Sequence, residues 1–459
     1  MHWCLFVFPV LATMIAFTIK KHSKLDVLVI LHAVLHLGLG INGFMFRDSL
    51  GTMDDLGLFV FLITSVLYLA VAIYRYNADR SADYRSYRIQ TICLMLFIAA
   101  MDGACIVQDF GLIWIFVEAT TLASAMLISA DQKKSSMEAA WKYLFICSVG
   151  IALAFVGILF LVIAQTHSSS LNVRVMLDSI ATISPFWLKM AFVFIMVGFG
   201  TKIGLAPLHF WLPDAHSEAP APVSALLSGA LLNTALIPIL RMDKLLRAAG
   251  LGSLAKDVYL LMGFLSVFIA TVFILRTKNY KRLLAYSSIE NMGLIMIAFG
   301  TGGIALYAGY MHILGHSLIK AAFFLTAGNI VTIYNEKSYE NISGLLSVHK
   351  PSAWLWLLAF AMIIGMPPSP LFISEFLIIT ALIEKGYLIG VIALIVMLVT
   401  IAACFGKVSL QMCMGNKENK ANLNTLRYLV PSMLLLGASI IGVWLDRKST
   451  RLNSSHRIR

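Results

Sequence analysis

Apolar runs of about 20 residues, the length of a helix that spans the hydrocarbon core of a bilayer, recur along almost the whole chain. Hydrophobic residues make up 59% of the 459 residues and charged residues only 13%. A water-soluble domain with this balance would expose an apolar surface. The sequence therefore predicts an all-α polytopic membrane protein that forms one membrane domain.

We predict fourteen transmembrane helices from these runs. The first run, 3–19, has no basic segment before it and no small-residue cleavage site, so we expect a retained span rather than a removed signal peptide. The predicted spans cover residues 3–20, 25–46, 55–75, 89–107, 110–130, 138–165, 185–212, 218–241, 256–275, 282–300, 304–334, 352–383, 386–411 and 427–445.

The spans divide the chain into three N-terminal helices (1–88), a first five-helix repeat (89–245), a second five-helix repeat (250–415) and a final helix (425–445). Beyond them, residues 446–459 contain the polar stretch DRKSTRLNSSH. This stretch resembles a translated sequencing adapter, and we expect it to be a non-native tail.

Alternate loops between the spans are rich in lysine and arginine, whereas the loop at Asp54 and Asp55 is acidic. Basic loops stay preferentially on the cytoplasmic side of a membrane. We therefore expect the N-terminus on the outer side of a prokaryotic cytoplasmic (inner) membrane. One basic loop falls on the predicted outer face and breaks the rule; it carries Arg241, Lys244, Arg247 and Lys256.

Prolines interrupt two of the predicted spans. Pro207 and Pro213 fall in and just after the seventh, and Pro367 and Pro368 fall in the twelfth. A proline removes a backbone donor and clashes with the preceding turn, so each helix is expected to break there. Unwound backbone at membrane depth is tolerated only against protein or a water-filled cavity, which makes both breaks candidate ion-handling points.

Ionisable residues recur at a constant spacing around these breaks. Lys202 precedes the first break and Glu375 follows the second, 173 positions later, while Glu118 and Glu290 lie 172 positions apart. Five spans, the fourth to eighth, then map onto the ninth to thirteenth, and an odd number of spans reverses their orientation. Inverted repeats with broken helices are typical of transporters.

Glu118 and Lys202 lie inside predicted spans. An ionisable side chain at membrane depth is costly unless it is paired, protonated or hydrated, so both are candidates for the proton pathway. In contact, they would form an electrostatic switch. The alternatives are a protonated glutamate with a structural role and a lysine that reaches to the membrane interface.

His312, His316 and Lys320 are spaced four residues apart in the eleventh span, on one helix face. Histidine titrates near neutral pH, so such a row can relay protons. A buried structural histidine and a metal site with HxxxH spacing are the alternatives. No third metal ligand can be placed, and we expect no metal site.

Glu375 begins the segment after the second break, where a carboxylate is also stabilised by the helix dipole. Near the first break, Asp214, His216 and Glu218 are polar, and Ser217 or Asp214 could instead cap the next helix. The secondary candidates for the pathway are His209, Asp214, His216, Asn233 and Glu290, and Asp102 lies near a span end.

Several classes of site are excluded by motif. The six cysteines are scattered without CxxC or Cys/His spacing, and no glycine-rich phosphate loop is present, so no disulfide, cluster or nucleotide site is expected. The net charge of +12 comes from short loops between spans, which indicates topology and not a nucleic-acid partner. We expect no cofactor in this chain.

The stretch GTKIGLAPLHFWLPDAHSEAPAPVSALLSG closely resembles the core motif of the antiporter-like, proton-translocating subunits of complex I, Mrp antiporters and membrane-bound hydrogenases. The resemblance covers about residues 90–412 and continues in FGLIWIFVEATTLASA, KRLLAYSSIENMGLI, HILGHSLIKAAFFLTAGNI and GMPPSPLFISEFLI. The combination of VEATTLASA, SSIEN and SEF is most similar to the hydrogenase-4 component F type.

The resemblance implies a role for each matched residue. Glu118 resembles the glutamate of the family's fifth helix and Lys202 the lysine of its seventh, the pair that gates proton entry. The row that contains His316 resembles the central hydrophilic axis, and Glu375 resembles the ionisable residue at the exit. Two positions depart from the pattern: Asn233 replaces a common lysine, and Asn291 replaces a common histidine.

The resemblance also implies a transport subunit without its own redox chemistry. Its partners are expected to be other membrane subunits and a peripheral arm with iron–sulfur, nickel–iron or flavin groups. The function expected is proton translocation in a hydrogenase-4, formate hydrogenlyase-like or NADH:quinone oxidoreductase-like complex. The alternative is an Na⁺(K⁺)/H⁺ antiporter subunit of the Mrp type.

Overall fold

The computed structural model describes residues 2–46, 53–76, 83–165, 169–417 and 420–456. In these ranges the chain is helical, and its extended pairing consists of two isolated bridges, Asp109 with Asn172 and Asn279 with Ser338. Side chains are described from residue 8 to residue 444. Residues 457–459 of the predicted non-native tail lie outside the described residues.

The first of two compact units covers Met1–Asp257. A π-helical turn, Leu227–Leu231, joins its last two helices into one continuous segment. The helices are α1 (His2–Thr18), α2 (His22–Met45), α3 (Asp55–Arg75), α4 (Tyr84–Ile106), α5 (Phe110–Ile128), α6 (Lys134–Ala164), α7 (Val173–Asp178), α8 (Pro185–Ile203), α9 (Trp211–Glu218), α10 (Ala221–Leu226) and α11 (Leu232–Ala248).

The second unit covers Val258–Arg459. Its first helix begins shortly before the boundary between the units. The helices are α12 (Gly252–Ile274), α13 (Tyr280–Thr301), α14 (Ile304–Tyr334), α15 (Leu345–Val348), α16 (Lys350–Ile363), α17 (Pro370–Glu384), α18 (Leu388–Cys413) and α19 (Thr425–His456).

The protein is a multi-pass membrane protein. Within the described ranges, twelve helical segments are long and apolar enough to cross a bilayer, with α10 and α11 counted as one segment. Helices α1 and α16 are apolar but shorter. Every predicted span overlaps one or more helices, and a total of fourteen crossings stays a prediction.

Both proline-rich spans are divided in two. Helix α8 ends at Ile203, and α9 begins at Trp211, with Pro207 between them. Helix α16 ends at Ile363 and α17 begins at Pro370, with Pro367 and Pro368 between them. The prediction of a break at Pro213 is wrong, because this residue lies in the first turn of α9, where a helix needs no backbone donor.

Element lengths recur between the two units. Helices α4 and α12 have 23 residues each, and α6 and α14 have 31 each. The N-caps of α5 and α13, Asp109 and Asn279, also make the two isolated bridges. These parallels support the internal repeat, whose inverted orientation stays a prediction.

Small residues let α6 and α8 pack closely. A Cβ atom added at Gly198 would lie 2.5 Å from the backbone nitrogen of Ala154 and 2.6 Å from the carbonyl oxygen of Gly150. Close backbone approach at small residues is a common source of helix association in membranes. It fixes the end of α8, and therefore Lys202, against α6.

The fully buried guanidinium of Arg241 fastens α11 to α3 and α4. Its Nη2 donates to Oδ1 of Asp54 at 2.8 Å, and its Nη1 donates to the carbonyl of Val107 at 2.5 Å. Nη2 also donates to the carbonyl of Cys105 at 3.2 Å. Arg241 thus satisfies carbonyls at the end of α4 that have no partner within the helix.

This arrangement gives a physical reason for the basic loop on the predicted outer face. Besides Arg241, Lys244 lies 3.6 Å from the Asp54 carboxylate, and Arg247 lies 2.6 Å from that of Asp243. The carboxylates of Asp54 and Asp243 therefore offset two of these three positive charges within the first unit.

We expect Arg241→Gln to destabilise the protein by about 3–5 kcal/mol, because it leaves a carboxylate and helix-end carbonyls without their donor. The matched control is Lys244→Ala, which removes a half-exposed cation from the same carboxylate and should cost less than about 1 kcal/mol. The thermal midpoint of the purified protein in detergent measures both. Equal midpoints in the two variants would contradict the assignment.

A pH dependence follows from the same ion pair. Burial alone raises the pKa of Asp54, but the hydrogen bond and charge of Arg241 outweigh it, so the pKa lies below its ordinary value. The pair's stabilisation is complete above the unfolded value of about 3.9 and is lost as pH falls through the folded value. In Arg241→Gln, the thermal midpoint should therefore fall less than in wild type as the pH is lowered.

Candidate functional site

Lys202 is fully buried in the last turn of α8, directly before the first break. Its ammonium nitrogen donates to the hydroxyl of Thr121 at 2.7 Å and to that of Tyr143 at 2.6 Å. It also lies 4.7 Å from the centre of the Tyr143 ring. The interpretation of a lysine that reaches to the interface is therefore wrong.

Trp211, the first residue of α9, supports this position from across the break. Its indole nitrogen donates to the carbonyl of Thr201 at 2.8 Å, which also accepts from the backbone N–H of Gly204 at 3.1 Å. Its ring packs on Tyr143 at 4.9 Å between centroids. The break thus positions Trp211 so that its ring packs against Tyr143, the residue whose hydroxyl accepts from Lys202.

Glu118 is half-buried on α5, and its two carboxylate oxygens have different donors. Ser148 donates to Oε1 at 2.9 Å, and Thr121 donates to Oε2 at 3.1 Å. The hydroxyl of Thr121 therefore stands between Glu118 and Lys202. The described structure gives these two residues no ion pair and joins them through one hydroxyl.

The donors in this network run in one direction. The Tyr143 oxygen accepts from Lys202, so its own proton is available for Ser124 at 2.7 Å, which in turn donates to the carbonyl of Thr120 at 2.5 Å. Thr121 likewise accepts from the lysine and donates to Glu118. The geometry fits an ammonium at one end and a carboxylate at the other.

The bridging residues Thr121, Tyr143 and Ser148 were not predicted as site residues from the sequence. Thr121 lies three positions after Glu118 and hence on the same helix face, which is a signal that could have identified it. Tyr143 and Ser148 lie on α6, and no spacing in the sequence relates them to α5 or α8. Only the packing of three helices reveals them.

The polar residues of α9 do not cap the next helix. Asp214 accepts from Lys142 at 3.3 Å, and Glu218 accepts from Ser135 at 2.9 Å, so both tie α9 to α6. His216 is fully buried within α9. The capping interpretation is wrong because α10 begins at Ala221, after Pro220, without a side-chain cap.

The remaining candidates of the first unit lie in or close to irregular backbone. His209 is buried in the nonhelical stretch between α8 and α9. Asn233 is buried directly after the π-helical turn and donates to the carbonyl of Gly229 at 2.8 Å. Single π-helical turns often occur at functional sites.

In the second unit, His312 links three helices. Its Nε2 lies 3.0 Å from Oδ1 of Asn291 on α13, and its Nδ1 lies 2.9 Å from the hydroxyl of Ser374 on α17. Asn291 keeps its oxygen toward the histidine because its amide nitrogen donates to the carbonyl of Ser287 at 2.6 Å. Asn291 thus belongs to the network.

The proton of the Ser374 hydroxyl decides which form of the imidazole satisfies these bonds. The Ser374 hydroxyl also lies 2.9 Å from the carbonyl of Leu371, to which it can donate its single proton. If it does, Nδ1 of His312 must donate to Ser374, while Nε2 donates to Asn291. Only a doubly protonated ring satisfies all three bonds together, whereas the neutral ring loses one.

Lys320 and Glu290 form the adjacent part of this network. Lys320 is fully buried and donates to the carbonyl of Leu284 at 2.5 Å and to the Ser287 hydroxyl. Glu290 is buried on α13 and interacts electrostatically with both Lys320 and Glu375. The secondary candidate Glu290 therefore lies close enough to two primary candidates to interact with both electrostatically.

Glu375 lies in the second turn of α17, where its half-buried carboxylate faces the break. A Cβ atom added at Gly365 would lie 2.6 Å from its Oε2. Gly365 has φ +71°, a conformation that favours glycine. Both this backbone conformation and the nearby carboxylate therefore disfavour a larger side chain at position 365.

His316, in the same row as His312, is fully buried. No metal-binding cluster occurs among the residues described.

Comparisons with known proteins agree with this architecture. The family described as NADH:quinone oxidoreductase/Mrp antiporter, transmembrane part, matches residues 108–436. The chain belongs to this family. It is 35% identical over 350 residues to a hydrogenase-4 component F homolog of Methylacidiphilum infernorum, a match that covers 74% of each chain.

Two solved structures have the same fold. A chain of the archaeal membrane-bound sulfane sulfur reductase matches with a TM-score of 0.89 and 21% identity, covering 97% of this chain and 95% of that one. A chain of the Mrp complex from Dietzia sp. DQ12-45-1b matches with a TM-score of 0.85 and 15% identity over the same shares. Both belong to multisubunit membrane complexes.

We expect Thr121→Val to reduce ion transport by this family member about tenfold or more, because the substitution removes the hydroxyl between Lys202 and Glu118 at similar volume. Its control is Thr120→Val. Thr120 is the buried neighbour, and among the described residues its hydroxyl bonds to the backbone carbonyl of Val117 alone, at 2.6 Å. Transport into proteoliposomes measures both, and equal rates would contradict the bridging role.

A second prediction concerns His312. Ser374→Ala should slow transport because the imidazole loses the hydroxyl that joins its Nδ1 to α17. Thr326→Val on α14 is the control, since among the described residues this buried hydroxyl bonds to the carbonyl of Ala322 alone, at 2.8 Å. A rate unchanged by Ser374→Ala across pH 6 to 9 would show that the network carries no proton.

Proposed function

We propose that this chain is the proton-translocating membrane subunit of a redox-driven complex of the hydrogenase-4 or NADH:quinone oxidoreductase kind. Family membership supports this function, and one observation carries it: a buried lysine and a half-buried glutamate are joined by a single hydroxyl. The arrangement lets a proton change places between two groups that cannot both be charged cheaply at membrane depth.

The transfer proceeds through Thr121. An Nζ–H bond of Lys202 breaks as the proton passes to Oγ1 of Thr121, and the original Oγ1–H proton passes to Oε2 of Glu118. A neutral amine and a neutral carboxylic acid result. The charged and neutral states differ by Coulomb and desolvation energies of several kcal/mol each, while one pKa unit is about 1.4 kcal/mol. A nearby charge can therefore shift the balance.

Glu118 is the entry in this scheme, because it is the more exposed member of the pair. In the second unit, Lys320, Glu290, His312 and Glu375 supply the groups that pass a proton on, with His316 in the same row. Glu375 is the exit, since its carboxylate lies against the second break. Asn233 and the π-helical turn next to it are the proposed link after Lys202.

Electron transfer takes place in partner subunits under this proposal. Those partners comprise other membrane subunits and a peripheral arm with iron–sulfur, nickel–iron or flavin groups, and this chain acts as a non-catalytic transport subunit. We place the chain in a prokaryotic cytoplasmic membrane with its N-terminus outside. The alternative, which the likeness to an Mrp complex supports, is Na⁺ or K⁺ exchange for H⁺ without redox input.

The test is proton pumping by the intact complex in proteoliposomes with Lys202→Ala and Glu118→Gln. We expect both variants to lose most proton translocation per electron transferred. The matched controls are Lys189→Ala, an exposed lysine on α8, and Glu138→Gln, an exposed glutamate on α6, and both should pump normally.

Two outcomes would contradict the proposal. Normal pumping at normal electron transfer in Lys202→Ala and Glu118→Gln would remove the pair from the pathway. Proton movement that needs Na⁺ or K⁺ and continues without electron transfer would favour the antiporter function instead.

A further inference from the structure

Four buried polar side chains meet in the N-terminal helices of the first unit, apart from the network around Lys202. His32 and His36 lie one turn apart on α2, Tyr68 lies on α3, and Asp102 lies on α4. Each is at most 2% exposed. These four residues, the α2–α4 cluster, precede the region that the family match covers, residues 108–436.

His36 and Asp102 form an ion-pair geometry. Nε2 of His36 lies 2.9 Å from both carboxylate oxygens of Asp102, so one N–H can be shared by the two oxygens. The His36 ring stacks on Phe61 at 4.4 Å between centroids. No other base lies within ion-pair distance of Asp102 in the part of the chain that the structure describes.

His32 extends the cluster. Its Nδ1 lies 2.8 Å from the hydroxyl of Tyr68, and its ring centroid lies 6.3 Å from that of His36. Nε2 of His32 and Nδ1 of His36 are buried and have no hydrogen-bond partner among the described residues. The two histidines therefore retain hydrogen-bonding capacity inside the helix bundle.

Charge decides how many protons the pair holds. A neutral His36 beside an ionised Asp102 would place an uncompensated negative charge in a buried site of a membrane protein, which is strongly unfavourable. One added proton makes the pair neutral, either as imidazolium with carboxylate or as imidazole with carboxylic acid. The geometry, with one nitrogen between two oxygens, accommodates both forms.

Among the described residues, the surrounding groups do not supply another charge to compensate the Asp102 carboxylate. On α2 and α3 the titratable neighbours are His32 and Tyr68, and Arg75 acts electrostatically on Tyr68. On α4 the neighbour is the Cys105 thiol, which itself faces the Asp54–Arg241 pair. Helix α1 contributes the ring of Phe8, stacked on His32 at 5.1 Å.

We propose that His36 and Asp102 form a second proton-binding site of this chain, one that shares a single proton and is separate from the Lys202–Glu118 pair. The site needs no redox partner to bind its proton, so it holds whether or not the chain pumps protons. Its ligand is a proton.

The test uses the full-length chain in lipid nanodiscs at pH 8, above the ordinary histidine pKa of about 6.5. Nitrogen-15 spectra of labelled histidine report whether His36 is imidazolium, and infrared spectra with carbon-13-labelled aspartate report whether Asp102 is protonated. His36→Gln and Asp102→Asn assign the two signals. Ser65→Ala is the control, because this buried hydroxyl on α3 bonds to the carbonyl of Phe61 at 2.8 Å.

We expect wild type to show one of two signals at pH 8: an imidazolium lost in His36→Gln, or a protonated carboxyl lost in Asp102→Asn. Ser65→Ala should leave the wild-type signal in place. The wild-type spectra test the proposal even if a variant fails to fold. A neutral His36 together with an ionised Asp102 at pH 8 would overturn it.

Discussion

The bond from the Lys202 ammonium to the Thr121 hydroxyl is the interaction on which the candidate site depends. A fully buried ammonium needs acceptors, and here it has two hydroxyls and no carboxylate in direct contact. A direct ion pair would hold both charges firmly. One intervening hydroxyl leaves the charges close enough to act on each other and provides the route by which they cancel.

The broken helices follow from the same need. Apolar solvent offers no partners for unwound backbone, so each break must be closed by protein groups. At the first break the indole of Trp211 bonds to the end of α8 and packs on Tyr143, which in turn accepts from Lys202. At the second, the carboxylate of Glu375 lies against Gly365. Each break thus serves to position an ionisable side chain.

Much of this could be predicted from the sequence, since the apolar runs identify the helices and membrane depth singles out Glu118 and Lys202. Thr121 could also have been identified from the sequence, because it lies three positions after Glu118 on the same helix face. Tyr143 and Ser374 could not be identified in this way, because a hydroxyl in an apolar helix can have many structural roles. Only the packing of separate helices shows which group the hydroxyl contacts. Pro213 was wrongly predicted to break a helix. A proline is tolerated in the first turn of a helix, where its missing N–H is not needed, but breaks a helix in its interior.

The central claim is that Glu118 changes its protonation state during turnover by exchange with Lys202. Time-resolved infrared spectroscopy of the complex with carbon-13-labelled glutamate measures this directly, with Glu118→Gln to assign the band. The account predicts a carboxylic-acid band of Glu118 that rises and decays within each turnover. A Glu118 that keeps one protonation state throughout turnover would contradict it.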